Sequence, residues 1–368
     1  MNSVFFLIFF LVFLSIYSGM NFYVYSQLAG NIAMTHHAKL FLRVFFLCGW
    51  ASFMLGEYLI HWKNDWWIKL IAYCGVLWFG FIAIALSVFI IRHVSVLFIH
   101  SAPYKHYSAV GALLVLFLLS LFSFVNQARE PRIKTVSIKS SKISAKLDGF
   151  VIVQLSDLHL DHLKTPRWLL NIVNKTNALN PDLIVITGDL IDSTATEYTQ
   201  ALKLLKAKYG VYAVTGNHDF YAGLSHFTEI TNNAGITVLR NERKTINGLI
   251  ELAGIDDIQG GRFEKNLPSL KEVMQGTDLN KFVILLSHQP QVFEKASALG
   301  TDLVLSGHTH AGQIPPMDLI VKFYYKHSCG LYQKGSSFIY TSPGTSFWGP
   351  PLRTFSRSEI TKIALSRK

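Results

Sequence analysis

Within the first 128 residues lie four apolar stretches, at about 4–25, 40–60, 68–91 and 109–125, each near the ~20 residues that a helix needs to cross a bilayer. The third is the clearest, with no charge from Leu70 to Ile91. Trp62, Trp66 and Trp67 stand at stretch edges, where aromatic rings favour the membrane–water boundary. Four such segments in succession are poorly explained as buried helices of a soluble domain. Arg43 and Glu57 fall near the ends of the second stretch, where they must snorkel or pair. Residues 1–128 are therefore expected to be an all-α transmembrane region of about four helices.

The distribution of charge supports this division. Only 15% of the chain is charged, against about 25% in an ordinary soluble domain. Lys39, Arg43, Lys63, Lys69, Arg92 and Lys105 are the basic residues before the boundary near Gln127–Pro131, and Glu57 and Asp65 the acidic ones. Met1-Asn2-Ser3 offers no basic start for a cleaved signal peptide, so the first stretch is expected to remain. Four spans put both termini on one side. That side collects Lys63, Lys69, Arg129, Arg132, Lys134, Lys139 and Lys142, against Lys39, Arg43, Arg92 and Lys105 opposite. By the positive-inside rule the polar domain, 129–368, faces the cytoplasm from an inner (cytoplasmic) membrane. The formal charge of +11 fits attraction to anionic lipid headgroups. No basic, aromatic-interleaved run suggests nucleic acid. Cys329 is alone in the polar domain, which excludes a disulfide framework and a thiolate metal cluster there.

From Arg132 onward short apolar runs alternate with amphipathic segments, the pattern of an α/β fold. Helices are expected near 166–178 and 197–207. Five strands each end in an acid, amide or imidazole: 150–155 before Asp157 and His159, 183–186 before Asp189, 211–214 before Asn217, 281–286 before His288, and 301–305 before His308 and His310. Polar groups thus emerge at the carboxyl edge of one or two sheets, where α/β folds place their sites. Imidazoles and carboxylates without thiolates suit a divalent cation such as Mn, Fe, Co or Zn. Asp157, His159, Asp189, Asn217, His288, His308 and His310 are enough ligands for two cations, and Asp189, central in the set, is the natural bridge. A shared carboxylate holds two cations ~3.5–4 Å apart, as in two-metal hydrolytic sites.

The order Asp157-x-His159, Gly188-Asp189, Gly216-Asn217-His218-Asp219, His288 and Gly307-His308-x-His310 resembles the calcineurin-like metallophosphoesterase superfamily. The blocks at 155–159, 254–257 and 308–313 are similar to its bacterial YaeI/YkuE-like branch. The resemblance covers about 131–368. It implies an α/β two-sheet sandwich flanked by helices, with one metal on Asp157, His159, Asp189 and His310 and the other on Asp189, Asn217, His288 and His308. The chain departs from the branch at Ala311, commonly Gly, and at Arg357-Ser358-Glu359, commonly Pro before Glu.

The implied chemistry is hydrolysis of a phosphoester or pyrophosphate by attack of a metal-bound hydroxide. His218, next to Asn217 but assigned to no metal, is the candidate catalytic acid, to be oriented by Asp219 or another carboxylate. Asp192 could support the site from behind the ligands or merely open a turn. Arg353, after the Pro- and Gly-rich loop 342–351, is a candidate phosphate clamp; His162, His226 and His327 read as ordinary polar residues. Expected partners are membrane lipids and a phosphorylated or lipid-linked small molecule, such as the UDP-diacylglucosamine that some superfamily members cleave. A non-catalytic membrane scaffold or sensor retaining the fold is the alternative, which loss of ligands would favour.

Overall fold

The computed structural model describes residues 3–368 apart from 61, 64, 195, 265 and 266. Met1 and Asn2, which bear on the signal-peptide expectation, lie outside the described residues. The chain divides into two compact units. One holds the residues up to Arg129 together with 313–319 and 349–355, and the other holds the remainder.

The apolar stretches of the first unit form four helices, α1 (Ser3–Asn31), α2 (His36–Ile60), α3 (Trp66–Phe98) and α4 (Ala102–Ala128). Each is long and apolar enough to cross a membrane. The helices run past the apolar stretches, and α4 begins before its stretch where the Ser101 hydroxyl accepts from the Tyr104 amide, with Pro103 in the first turn. Phe41, Leu47, Phe98 and Phe117 point outward and exposed, a liability in water but the surface that lipid solvates. Polar groups on the spans find partners inside the unit. The Trp78 indole donates to Asn21 Oδ1 at 2.9 Å, and Arg43 Nε donates to the Tyr25 hydroxyl at 3.1 Å.

Small residues bring α2 and α3 together. A Cβ on Gly75 would lie 2.5 Å from Phe53 Cα, and one on Gly56 would lie 2.5 Å from Ala72 Cα. Such close backbone approach is how membrane helices gain dispersion energy without a hydrophobic drive between them. The two later segments join the same packing. Ile314 and Leu352 enter the helical core, Asn126 Nδ2 donates to the Arg353 carbonyl at 2.9 Å, and the Arg353 amide donates to the Ser123 carbonyl at 3.0 Å. Gly80 admits Pro350 and Leu352 against α3, since a Cβ there would fall 2.6 Å from Pro350 Cβ. Arg353 is fully buried and groups with the helical unit, so it is not a solvated surface arginine.

The second unit is built on two six-stranded sheets. The first contains β1 (Arg132–Ser140), β2 (Val151–Leu155), β3 (Leu183–Thr187), β4 (Val211–Val214), β5 (Thr237–Val238) and the last strand, so that the spatial order is β1-β12-β2-β3-β4-β5 once β12 (Glu359–Arg367) is included. The second contains β6 (Glu242–Ile246), β7 (Ile250–Gly254), β8 (Phe282–Leu286), β9 (Leu303–Ser306), β10 (Gly330–Lys334) and β11 (Ser337–Thr341), in the order β10-β11-β9-β8-β7-β6. β2, β3, β4 and β5 are parallel, as are β7, β8, β9 and β11.

Alternation along the strands makes this a two-sheet sandwich. Leu183 and Val185 of β3 join Ile250, Ile284 and Leu305 of the facing sheet in one core, while Ile184 and Ile186 point the other way, onto Leu169, Ile172 and Phe227 of flanking helices. On the outer face of the second sheet, Val283 and Leu285 pack with Phe293 and Ala296. The expected sandwich flanked by helices is what forms.

The helix contact at Gly75 has a measurable counterpart. Gly75→Leu should destabilise the detergent-solubilised protein by roughly the 1–3 kcal/mol of an overpacked core. Gly111→Leu, whose Cβ would meet nothing within 4 Å, should leave the thermal midpoint nearly unchanged. Equal midpoints for the two variants would refute the close packing of α2 on α3.

Candidate metal centre

All seven predicted ligands lie just beyond the carboxyl ends of parallel strands: Asp157 and His159 after β2, Asp189 after β3, Asn217 after β4, His288 after β8, and His308 and His310 after β9. The structure brings six of them, Asp157, His159, Asp189, His288, His308 and His310, within a few ångströms of one another. His159 Nε2 is 3.0 Å from His310 Nε2, and His310 Nε2 is 3.4 Å from Asp157 Oδ1. Across the crevice His308 Nδ1 is 3.1 Å from His288 Nε2. Asp189 Oδ2 stands between the groups, 3.1 Å from His288 Nε2 and 3.7 Å from His159 Nε2. Asp157–His159–His310 and Asp189–His288–His308 each offer ligand atoms within 4.8 Å of one another.

Glycine makes this crowding sterically possible. A Cβ on Gly216 would lie 2.1 Å from Asp189 Oδ1, and one on Gly307 would lie 2.3 Å from Asp157 Oδ2. These are the glycines that precede Asn217 and His308. The ligands themselves are held in an uncommon conformation: Asp157, His159, Asp189, His308 and His310 all have φ between 45° and 72°. Non-glycine residues in this left-handed region cost roughly 1–3 kcal/mol each and persist only where surrounding structure dictates them. Backbone bonds supply that constraint here, with the Asp157 amide donating to the Gly188 carbonyl at 3.1 Å and the His159 amide to the Asp189 carbonyl at 2.9 Å. The loop 342–348 adds to it: the Thr345 amide donates to the Ser156 carbonyl at 2.7 Å.

Outer hydrogen bonds aim each imidazole. His288 Nδ1 donates to the Thr187 carbonyl at 2.8 Å and His159 Nδ1 to Asp192 Oδ1 at 2.7 Å, which turns both Nε2 atoms inward. His308 Nε2 meets the Tyr325 hydroxyl at 2.9 Å, leaving Nδ1 to face inward. Burial and the charge of His288 push His308 down to about 3, so its ring is neutral. Although burial opposes it, Asp189 beside His288 holds that imidazole well above its ordinary value. Asn217 Oδ1 is buried and has no hydrogen-bond partner among the described residues. An orphaned acceptor of this kind, on the residue that follows Gly216 beside the Asp189 carboxylate, fits a cation.

Asp192 joins His159 to His218, whose Nδ1 is 3.1 Å from the same Oδ1. Asp219 faces elsewhere, accepting from the amides of Leu190, Ile191 and Gly216 at 2.7 to 3.0 Å, and so braces the β3 and β4 loops. The acid that orients His218 is thus Asp192. Burial works against protonation of His218, but Asp189 and Asp192 together raise it to about 9. The Tyr221 and Trp348 rings stand at centroid distances of 5.4 and 5.5 Å from it. Tyr325 and Tyr221 carry no signal in the sequence, where no spacing ties them to a motif, whereas Trp348 falls in the Pro- and Gly-rich loop 342–351. Gly254-Ile255-Asp256-Asp257 follows β7 and is structural: Asp256 pairs with Arg240 at 2.8 Å, and Asp257 accepts from Gln289 Nε2 at 2.9 Å.

Comparison with known proteins agrees with this geometry. Residues 150–312 match the family described as Calcineurin-like phosphoesterase. An uncharacterized metallophosphoesterase of Campylobacter jejuni, Cj0846, is 30% identical over 99% of both chains. The chain belongs to the calcineurin-like metallophosphoesterases. YkuE of Bacillus subtilis, also an uncharacterized metallophosphoesterase, is 37% identical over 62% of this chain and 83% of its own. A "Transmembrane protein with metallophosphoesterase domain" from Danio rerio is 36% identical over 70% of this chain and 62% of its own length. The chain thus spans about three fifths of that vertebrate relative and of its Bos taurus counterpart.

The protonation of His218 gives a test that needs no activity. A histidine raised from 6.5 to about 9 stabilises the metal-free fold fully below pH 6.5, and that contribution is lost as pH rises through about 9. In the metal-free protein, NMR titration of labelled histidine should find His218 protonated at pH 7. Asp192→Asn should move its titration to lower pH, and an unmoved curve would remove Asp192 from the role of orienting carboxylate.

Proposed function

We propose that the chain is a membrane-anchored dinuclear-metal phosphoesterase, hydrolysing a phosphoester or pyrophosphate. The position of the Asp189 carboxylate between the two donor clusters is the observation that carries this reading. Asp157, His159, Asp189 and His310 would hold one divalent cation, and Asp189, Asn217, His288 and His308 the other. Mn, Fe, Co and Zn all suit these donors. When bound, the pair supplies Lewis acidity and lowers the pKa of water towards ~7. The chain's own groups do the rest. Asp192 fixes the His218 ring and favours its protonated form, so His218 is placed to give a proton to a departing oxygen or to bind a phosphoryl oxygen. Trp348 and Tyr221 confine the ring.

The four spans support a substrate in or beside the bilayer, a lipid-linked phosphate or a pyrophosphate of the UDP-diacylglucosamine type. The charge bias across the loops supports a cytoplasmic catalytic domain. A reporter fused after Lys368 should then be active in the cytoplasm and one near Pro103 on the opposite face; activity of the C-terminal fusion outside the cytoplasm alone would reverse that topology.

Two substitutions separate metal from proton chemistry. Asp189→Asn removes the shared anion, so metal content by elemental analysis and turnover should fall together; full metal occupancy with near-normal hydrolysis would reject the shared site. His218→Ala should keep its metals while turnover drops by roughly 10² to 10⁴, the usual yield of general acid catalysis. Its defect should be larger on an alkyl ester than on an aryl phosphate, whose phenolate leaves without a proton. Equal losses on both would assign His218 to phosphate binding.

A further inference from the structure

The helical unit contains a cavity of about 650 Å³ between α3 and α4, closed in part by the segments around Pro315 and Phe355. Its volume falls within the roughly 300–1,000 Å³ of small-molecule sites. Val88, Ile91, Val115 and Leu119 make most of the wall apolar, yet two charged side chains also line it. Arg92 is only 6% exposed and Asp318 likewise 6%.

Among the described residues, Arg92 and Asp318 form no direct hydrogen bond to each other. There Arg92 donates to neutral acceptors: Gln27 Oε1 at 2.8 Å, the Lys105 carbonyl at 2.7 Å and Ser108 Oγ at 3.2 Å. A guanidinium has five N–H donors, so it keeps donors to spare. Asp318 Oδ1 is buried without any hydrogen-bond partner among the described residues. A buried carboxylate oxygen without a donor, like a buried cation without an anion, is costly unless something supplies the missing partner.

We propose that this cavity binds a zwitterionic glycerophospholipid of the surrounding bilayer, with its phosphate towards Arg92, its headgroup ammonium towards Asp318 and its chains along the apolar wall. Ethanolamine is the headgroup that fits: its ammonium donates hydrogen bonds to a carboxylate, whereas the quaternary nitrogen of choline has no hydrogen to give. An anionic lipid without an amine would satisfy Arg92 and leave Asp318 unpaired. The site requires the helical unit to lie in a membrane but does not depend on the metal-site proposal.

The test is native mass spectrometry of the full-length protein released from detergent, titrated separately with dioleoyl-phosphatidylethanolamine, -phosphatidylcholine and -phosphatidylglycerol. One phosphatidylethanolamine should remain bound at collision energies that strip the other two. Asp318→Asn, which keeps the shape and removes the charge, should weaken that binding about tenfold, the scale of a lost charge-assisted hydrogen bond. Val115→Trp should block the cavity from α4 without touching either charge and abolish the retained lipid, which covers the case of an Asp318→Asn protein that fails to fold. Asp189→Asn should retain the lipid unchanged, separating this site from the metal centre. Equal retention of the three lipids, a preference for phosphatidylglycerol, or undiminished binding in both Asp318→Asn and Val115→Trp would overturn the proposal.

Discussion

The crowding of imidazoles and carboxylates in a buried crevice is the constraint that the catalytic unit is built to meet. Imidazole pairs with nitrogens 3.0 and 3.1 Å apart, and Asp189 3.1 Å from His288, give up the water that would otherwise solvate them. The surrounding polypeptide forces them together. Parallel strands deliver the donors to one edge, glycines at 216 and 307 remove the atoms that would hold them apart, and hydrogen bonds from Thr187, Asp192 and Tyr325 fix the rings from behind. The left-handed conformation of five ligand residues is a further cost met by the scaffold. A cation held by these groups would add its coordination energy to the folded state.

That dependence explains why the motifs look as they do. Gly216 is fixed by Asp189, a residue 27 positions earlier, and Gly307 by Ser156 and Asp157 in the first block. A glycine in one motif is thus the steric counterpart of an acid in another. The acid three residues after Asp189 works in the same way. Asp192 reaches two histidines from different loops and makes the geometry of His218 depend on that of His159.

The strands and the polar residues that follow them were legible in the sequence because both are local. Val, Ile and Leu runs ending in Asp, Asn or His reveal a strand and its terminal donor without reference to the rest of the chain. The four spans were legible for the same reason, though α4 begins before its apolar stretch, at the Ser101 cap. The hidden features depend on contacts made at long range. Tyr325 touches His308 only because of how the intervening 16 residues are folded, and nothing in its neighbours marks it. Asp219 adjoins His218 and invited pairing with it, yet its side chain turns to the amides of Leu190 and Ile191 after β3 and of Gly216 in its own loop. Arg353 sits in a stretch rich in Pro and Gly that reads as a surface loop, and only the packing of Pro350 and Leu352 on Gly80 discloses its burial.

The enlistment of 313–319 and 349–355 by the helices bears on how the two halves of the gene product can be separated. Cleaving at Arg129 would not liberate a self-sufficient enzyme. Ile314 and Leu352 would be stripped of the apolar neighbours they share with α3 and α4, and the Arg353 carbonyl would lose its bond from Asn126. Two greasy loops would be left dangling from an otherwise water-compatible sandwich, one of them four residues after Thr309 and the other directly after Trp348. The anchor and the hydrolase are stitched into each other's sequence, so swapping one for a foreign partner calls for re-dressing both loops with polar residues as well as choosing a new junction.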